Sequence, residues 1–200
     1  MPAETMIAPG FADPIFQSQA AYRALLAALS EPGTLRSVAA EITPPEGLAT
    51  ATATALLTLA DYETPVWLPD ALRNGPAGAW LRFHCGATLV DSPAEAAFAV
   101  IDGTVDEPKL SAFNLGTDQF PDRSTTVIVQ AAALEGGLVL TLAGPGIAST
   151  RTIAPQGLRP GFTEELRGNG AIYPLGVDVL LVHAEGLIGL PRSTQVEEAR

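Results

Sequence analysis

Several residue types on which chemistry commonly depends are scarce in this sequence. Cysteine occurs once, at Cys85, lysine once, at Lys109, and histidine twice, at His84 and His183. A single cysteine excludes an internal disulfide and every Cys-x-x-Cys metal or redox motif. The G-x-x-x-x-G-K-[ST] string is absent, which excludes a Walker-type ATPase. These absences predict a cytoplasmic protein without disulfides, metal centre or cofactor of its own.

Charge is also scarce, at 16% of the 200 residues against 47% hydrophobic residues. The net charge of −11 has the wrong sign for nucleic acid or an anionic membrane surface. The longest weakly polar stretch, 48–60, is shorter than the roughly 20 apolar residues of a membrane helix, and the first ten residues lack the pattern of a signal peptide. We predict one domain over 1–200, with a poorly ordered arm at 1–12 and a tail at 193–200.

The 19 glycines and 17 prolines predict short elements separated by turns. Asp13 followed by Pro14 is typical of a helix start, and Pro32 with Gly33 ends that helix. Apolar residues recur within it at helical spacing and predict a core-facing stripe: Ile15, Tyr22, Leu25, Leu26 and Leu29. A second, buried helix is predicted over 46–60.

The rest of the chain predicts strands and hairpins. The predicted strands are 64–68, 80–84, 97–101, 125–133 and 138–143, the last two joined by a hairpin loop at 134–137. Short helices are predicted at 106–114 and 163–167, and a C-terminal hairpin at 177–183 and 187–190. The fold class is therefore α/β, a single mixed-sheet domain with hairpins.

Two features invite a cofactor interpretation. The glycines of 142–149, LAGPGIAS, follow a predicted strand as in a nucleotide-binding loop, but Pro145 removes a phosphate-binding N–H, and a strand-ending turn is the alternative. Lys109 is the sole candidate for a pyridoxal phosphate Schiff base. Its acidic neighbours, Asp106 and Glu107, instead indicate a surface lysine paired with carboxylates.

Five residues are candidates for ligand binding. Arg82 and His84 would share one face of the predicted strand 80–84, either as an anion site or as an ordinary polar face. Arg151 and Arg192 lie beside loops, where guanidinium groups recognise phosphates or form ion pairs within the protein. Asp178 begins a hydrophobic strand, and the alternative to a ligand-binding role is a capping or turn residue.

Six strings together resemble the PhnH family of the bacterial carbon–phosphorus lyase system, in the same order along the chain. They are SEPGTL from position 30, LLTLADYETPVWL from 56, LRFHCGATLV from 81, AGPGI from 143, PLGVDVLL from 174 and LPRST from 190. The resemblance implies a homodimer that acts in organic phosphonate catabolism with the PhnG, PhnI and PhnJ subunits. It also implies a fold similar to pyridoxal-phosphate-dependent transferases without their cofactor site, and it supplies no catalytic residues.

Two functional hypotheses follow. The first is an accessory or structural subunit of the synthase in which methylphosphonate displaces adenine from ATP, giving α-D-ribose 1-methylphosphonate 5-triphosphate, with the chemistry residing in PhnI. The second is an independent nucleotide- or phosphonate-binding module, or an enzyme, on a degenerate transferase fold. A convergent set of nucleophile, base and orienting group would favour the second hypothesis, and the sequence contains none.

Overall fold

Helices and short strands alternate along the chain. A computed structural model describes residues 7–38, 40–106 and 108–199. The helices are α1 (Pro14–Ser30), α2 (Thr50–Leu59), α3 (Asp70–Arg73), α4 (Pro76–Cys85) and α5 (Phe162–Ala171). The strands are β1 (Leu35–Ser37), β2 (Val66–Trp67), β3 (Leu89–Val90), β4 (Phe98–Asp102), β5 (Thr126–Gln130), β6 (Leu140–Ala143), β7 (Arg151–Ile153), β8 (Asp178–His183), β9 (Gly186–Leu190) and β10 (Gln195–Glu198).

Two sheets organise these elements. The larger has seven strands in the order β1-β9-β8-β5-β4-β2-β3, with β3, β2, β4, β5 and β8 parallel and β8, β9 and β1 antiparallel. The smaller is antiparallel, in the order β10-β6-β7. The predicted α/β class with a mixed sheet is confirmed, as is the C-terminal hairpin, which is formed by β8 and β9.

The large sheet is buried on both faces. Ile128 of β5 packs with α1, α2 and α4 on one face. Its neighbours Val127 and Val129 pack on the other face, against α5 and the small sheet. Burial of both faces explains why the central strands are continuous apolar runs rather than alternating patterns. None of the helices in the described ranges is long and apolar enough to cross a membrane.

Helix α1 begins where the sequence predicts, but it buries a different face. The Asp13 carboxylate accepts a hydrogen bond from the Phe16 N–H, and Pro14 occupies the first helical position. The predicted core stripe is wrong for three of its members, because Ile15, Tyr22 and Leu26 are exposed to 79%, 52% and 55%. The buried residues are instead Ala21, Leu25 and Ala28.

Close approach of α1 to the sheet explains that choice of face. A Cβ built on Gly189 of β9 would lie 2.4 Å from the Ala28 carbonyl oxygen, so the helix backbone rests directly on the strand. Only small side chains fit at such a contact. Ala28 therefore occupies this contact, and Ile15, Tyr22 and Leu26 point outward.

The predicted strand at 80–84 is wrong, because these residues belong to α4. Ala77, Trp80 and Leu81 recur at helical spacing and are all buried. Gly86 ends the helix in the left-handed conformation, with a φ of 64°. The helical period over 77–81 decides the local structure, and the alternation of polar and apolar residues over 81–85 is incidental.

The predicted hairpin at 134–137 is also wrong, because β5 lies in the large sheet and β6 in the small one. After β5 the chain leaves the large sheet through an isolated bridge between Ala133 and Gln156. The strand that follows this bridge, β6, belongs to the small sheet.

The other predicted elements differ in length. The helix predicted over 46–60 is α2, ten buried or half-buried residues, and the one predicted over 163–167 is the longer α5. The helix predicted over 106–114 is reduced to one 3-10 turn at Leu110–Ala112. The C-terminal segment predicted as a tail contains β10. Of the predicted N-terminal arm, residues 1–6 lie outside the described residues.

Candidate functional site

Asp178 and Arg192 form an ion pair at the amino end of β8. The Arg192 backbone N–H and Nε donate to Asp178 Oδ1 over 2.9 and 3.2 Å, and Nη2 donates to Oδ2 over 2.6 Å. Nη1 donates to the carbonyl oxygen of Pro121. The side chains are 14% exposed for Arg192 and 22% for Asp178. Arg192 therefore joins three separate segments, and its guanidinium is committed to the fold.

Arg151 closes the turn that follows α1. Its Nη1 donates to the carbonyl oxygen of Glu31 over 3.1 Å and to that of Pro32. Gly33 adopts a φ of 76°, and a Cβ there would lie 3.0 Å from Arg151 Cδ. The guanidinium thus binds two carbonyl groups of the turn itself, of which that of Glu31 also accepts the Thr34 N–H.

The glycines of the AGPGI string bring two other turns together. A Cβ on Gly146, whose φ is 81°, would lie 2.2 Å from the Ser30 carbonyl oxygen. A Cβ on Gly144 would lie 2.9 Å from the carbonyl oxygen of Ser193. The loop joins antiparallel β6 and β7 rather than a strand and a helix. This geometry is that of the strand-ending turn, which was the alternative to a nucleotide-binding loop.

We call these three packed segments the turn junction: 30–35, 143–147 and 190–194. They contain three of the strings on which the family resemblance depends. Asp178, in a fourth string, joins them through Arg192. Residues dispersed over more than 160 positions of the sequence therefore form one structural unit, held together by arginine bonds to carbonyl groups and to one carboxylate.

Arg82 and His84 lie apart from the turn junction, on α4. His84 Nε2 is hydrogen-bonded to the Ala8 carbonyl oxygen over 2.9 Å, and its ring meets the Trp80 ring edge-on with centroids 5.1 Å apart. Within the described ranges, the exposed Arg82 guanidinium has neither a hydrogen bond nor an ion pair. Residues two positions apart on a helix do not share a face, so the prediction that Arg82 and His84 share one is wrong. The five candidate residues do not converge on one site.

The sequence interpretation missed the most deeply buried ion pair, between Arg159 and Glu165. Arg159 Nε and Nη2 donate to Glu165 Oε1 and Oε2 over 3.0 and 2.8 Å, and the guanidinium also donates to the carbonyl oxygens of Val105 and Pro108. The Arg159 side chain is 1% exposed. Burial acts to raise the pKa of Glu165, but hydrogen bonds from Arg159 and from the Leu110 N–H, with the nearby positive charges, lower it overall.

A signal for this pair was present in the sequence. Arg159 precedes the Pro-Gly turn that starts α5, and Glu165 lies in the first turn of that helix, where carboxylates are favoured. The two side chains separate an open cleft of about 450 Å³ beside Arg159 from an apolar groove of about 360 Å³ beside Glu165. Through bonds to the Val105 and Pro108 carbonyl groups and from the Leu110 N–H, the pair joins these residues to α5.

Lys109 belongs to the same cluster. Its Nζ lies 2.9 Å from Asp106 Oδ1 and 3.6 Å from Glu165 Oε1. The hydrogen bond to Asp106 is the largest influence on the lysine and raises its pKa. A Schiff-base lysine requires the opposite shift. The interpretation of Lys109 as a lysine paired with carboxylates is confirmed.

The remaining nucleophile is poorly disposed for catalysis. Burial, with the charge of Asp61, raises the pKa of the Cys85 thiol to about 11, so it is protonated near neutral pH. The Asp61 carboxylate accepts bonds from Glu63 and Thr64 in a turn and contacts no base. In the described part of the chain, no group of three His, Cys, Asp or Glu side chains could hold a metal ion.

Comparison with known proteins gives a consistent result. Residues 9–197 match the family model described as bacterial phosphonate metabolism protein (PhnH). The chain is 40% identical over 198 residues to "Alpha-D-ribose 1-methylphosphonate 5-triphosphate synthase subunit PhnH" of Rhizobium meliloti (strain 1021), covering 98% of this chain and 99% of that protein. It is 29% identical over 181 residues to "Putative C-P lyase subunit protein HtxG" of Stutzerimonas stutzeri, covering 90% and 86%.

Proposed function

Because the chain belongs to the PhnH family of bacterial phosphonate metabolism proteins, we propose that it is an accessory, structural subunit of an α-D-ribose 1-methylphosphonate 5-triphosphate synthase within a carbon–phosphorus lyase core complex. One observation carries the accessory role. Two of the three candidate arginines, Arg151 and Arg192, are bound to carbonyl groups and to Asp178, so they serve the fold. The catalytic residues then belong to another subunit.

The partners in this proposal are the PhnG, PhnI and PhnJ subunits and a second copy of the chain, in the cytoplasm. Support comes from the apolar side chains that the protein presents to solvent. The most exposed of these are Ile15, Phe16, Tyr62, Phe83 and Tyr173. Apolar side chains of this size at a surface are typical of protein contacts, where aromatic residues are enriched.

The proposal includes a fold related to pyridoxal-phosphate-dependent transferases that has lost the cofactor site. The mixed sheet with a parallel centre and flanking helices supports the kinship, and the pairing of Lys109 with Asp106 and Glu165 supports the loss. After incubation with pyridoxal phosphate and reduction with borohydride, we expect the protein mass to be unchanged. A stoichiometric pyridoxyl adduct on Lys109 would contradict this part of the proposal.

Reconstitution tests the accessory role. PhnG, PhnI and PhnJ are purified with and without the chain, and adenine release from ATP and methylphosphonate is measured. We expect the chain to co-purify with the other subunits and to raise the rate, while the isolated chain releases no adenine. Release of adenine by the isolated chain would refute the proposal.

Direct ligand binding distinguishes the alternative of an independent nucleotide- or phosphonate-binding module. Calorimetric titration of the isolated chain with ATP and with methylphosphonate should give no saturable binding at micromolar concentrations. The Arg82→Ala variant is the informative comparison, because that guanidinium has no partner within the described residues. Micromolar binding by the wild type that this variant loses would favour the alternative.

A further inference from the structure

Helix α1 has two apolar faces, and only one of them is covered. The buried face, described above, rests on the sheet. A neighbouring face, about a third of a turn around the helix from the buried one, presents four exposed residues, which we call the α1 seam: Ile15, Gln19, Tyr22 and Leu26. A helix on the surface of a monomer normally carries polar residues on this side, so the apolar members of the seam need a partner.

The spacing of the seam is that of a coiled coil. Successive members lie four, three and four positions apart, which is the alternation of d and a positions in a heptad. Leu29, three positions after Leu26, continues the pattern and is half-buried against the core. An outward row with this period fits a second helix that lies nearly parallel or antiparallel to α1.

The order of residues in the α1 seam indicates that the second helix is α1 of another copy of the chain. In an antiparallel pair of α1 helices related by a twofold axis between positions 20 and 21, Ile15 faces Leu26 of the second copy, and Gln19 faces Tyr22. Large apolar residues meet at both ends, and an amide meets a phenol hydroxyl at both inner positions. A contact between two copies of one chain requires such self-complementarity. A contact with a different protein does not require it.

The distribution of charge also favours a second copy of the chain as the partner of α1. The chain carries a net charge of −11, so two copies repel each other over most of their surfaces. Helix α1 contains no carboxylate and one cation, Arg23, which lies opposite the hydroxyl of Ser18 in the antiparallel arrangement. The two copies can therefore approach along this helix without placing like charges in contact, apart from two well-separated arginines.

We propose that the α1 seam is the contact between two copies of this chain, with the two α1 helices antiparallel. This inference rests on the homodimer in the proposed function and assigns its surface. A 17-residue helix is about 25 Å long, so the helix pair alone covers less than the roughly 1,600 Å² of a standard interface. The expected affinity is accordingly in the micromolar range.

Sedimentation velocity over a concentration series tests the contact. We expect the wild type to dimerise, and Tyr22→Arg to raise the dissociation constant by roughly 100-fold or more, because it buries a charge at the centre of the contact. Phe83→Arg, which replaces an exposed aromatic residue on α4, is the matched control and should leave the constant unchanged. An unchanged constant for Tyr22→Arg would overturn the assignment.

Disulfide trapping tests the antiparallel register. The double variant Ile15→Cys with Leu26→Cys places thiols opposite each other across the contact, whereas each single variant leaves the new thiols far apart. Under mild oxidation the double variant should give a covalent dimer much faster than either single variant, and these also control for Cys85. Equal rates would overturn the register.

The outcomes separate this inference from the proposed function. A wild type that remains monomeric at 100 µM, roughly a hundred times the micromolar scale, would overturn the dimer and its surface. Co-purification with PhnG, PhnI and PhnJ is measured independently of that result and decides the subunit role. Loss of this co-purification in a Tyr22→Arg protein that still dimerises would assign the seam to another subunit and overturn the inference.

Discussion

Two partly or fully buried ion pairs hold distant segments of this protein together, and they differ in their access to water. Arg159 and Glu165 meet in an enclosed site where the arginine side chain is almost inaccessible, whereas Arg192 and Asp178 meet at the edge of the sheet with part of each side chain in solvent. Only the residues of the second pair were singled out from the sequence, as two separate candidates for ligand binding. Deep burial makes a charged group depend on its partner, so the less conspicuous pair should be the more consequential for stability.

Loss of Arg159 should have the largest effect and tests the comparison directly. Arg159→Ala leaves the Glu165 carboxylate without its main partner and exposes the carbonyl groups of Val105 and Pro108 to a cavity. We expect the free energy of unfolding to fall by about 3–5 kcal/mol, measured by urea denaturation. The paired change Arg159→Met with Glu165→Leu is the control, because it removes both charges and should restore much of the loss.

Loss of Arg192 should cost less, because its ion pair with Asp178 is more open to water than that of Arg159 with Glu165. In Arg192→Ala, water can reach the partly exposed Asp178 carboxylate, so we expect a loss of about 2 kcal/mol. Urea denaturation under the same conditions gives the difference between the two arginine variants. If Arg192→Ala costs as much as Arg159→Ala, access to water is not what distinguishes the two pairs.

The buried pair of Arg159 and Glu165 should also make the free energy of unfolding depend on pH. The pKa of Glu165 is lower in the folded protein than its ordinary value of 4.5. A carboxyl of this kind stabilises the fold above its unfolded pKa, and the contribution is lost as the pH falls through the folded value. The difference in unfolding free energy between wild type and Glu165→Gln should be constant above about pH 5 and shrink below it.

Asp106→Asn provides the control for this profile. The pKa of Asp106 is also lowered, chiefly by its hydrogen bond from Lys109, but the carboxylate is exposed and solvent screens its contribution. The difference between wild type and this variant should therefore be small in the same pH range. A wild-type advantage over Glu165→Gln that increases as the pH falls would contradict the lowered pKa of Glu165.

The sequence predicts local features well and the choice of faces poorly. Asp13 and Pro14 determine the start of α1 through interactions within one turn, and that prediction is confirmed. The apolar period of α1 showed that Ile15, Tyr22 and Leu26 share a face, but it could not show that this face is outward. That choice depends on the contact between Ala28 and Gly189, which are more than 160 residues apart.

The candidate site was predictable in part. The confirmed C-terminal hairpin pairs Val179 with Leu190, which places Asp178 near Arg192; the sequence interpretation named these two residues separately and did not predict that they pair. The partners of Arg151 were not predicted either, because its bonds cross 119 and 120 positions of the sequence. The alternation of polar and apolar residues around Arg82 and His84 was interpreted as a strand. These two residues lie instead on α4, where side chains two positions apart point in different directions.

Arg82 should show the smallest effect and provides the baseline for both ion pairs. It lies on the exposed side of α4, and within the described residues its guanidinium has no partner whose loss would leave a buried group unsatisfied. Arg82→Ala should therefore change the free energy of unfolding by less than about 0.5 kcal/mol in the urea experiment used for the other arginines. A loss comparable to that of Arg192→Ala would mean that an exposed arginine on this helix stabilises the fold through the packing of its aliphatic stem. In that event, the cost of removing a paired arginine could no longer be attributed to its charge alone.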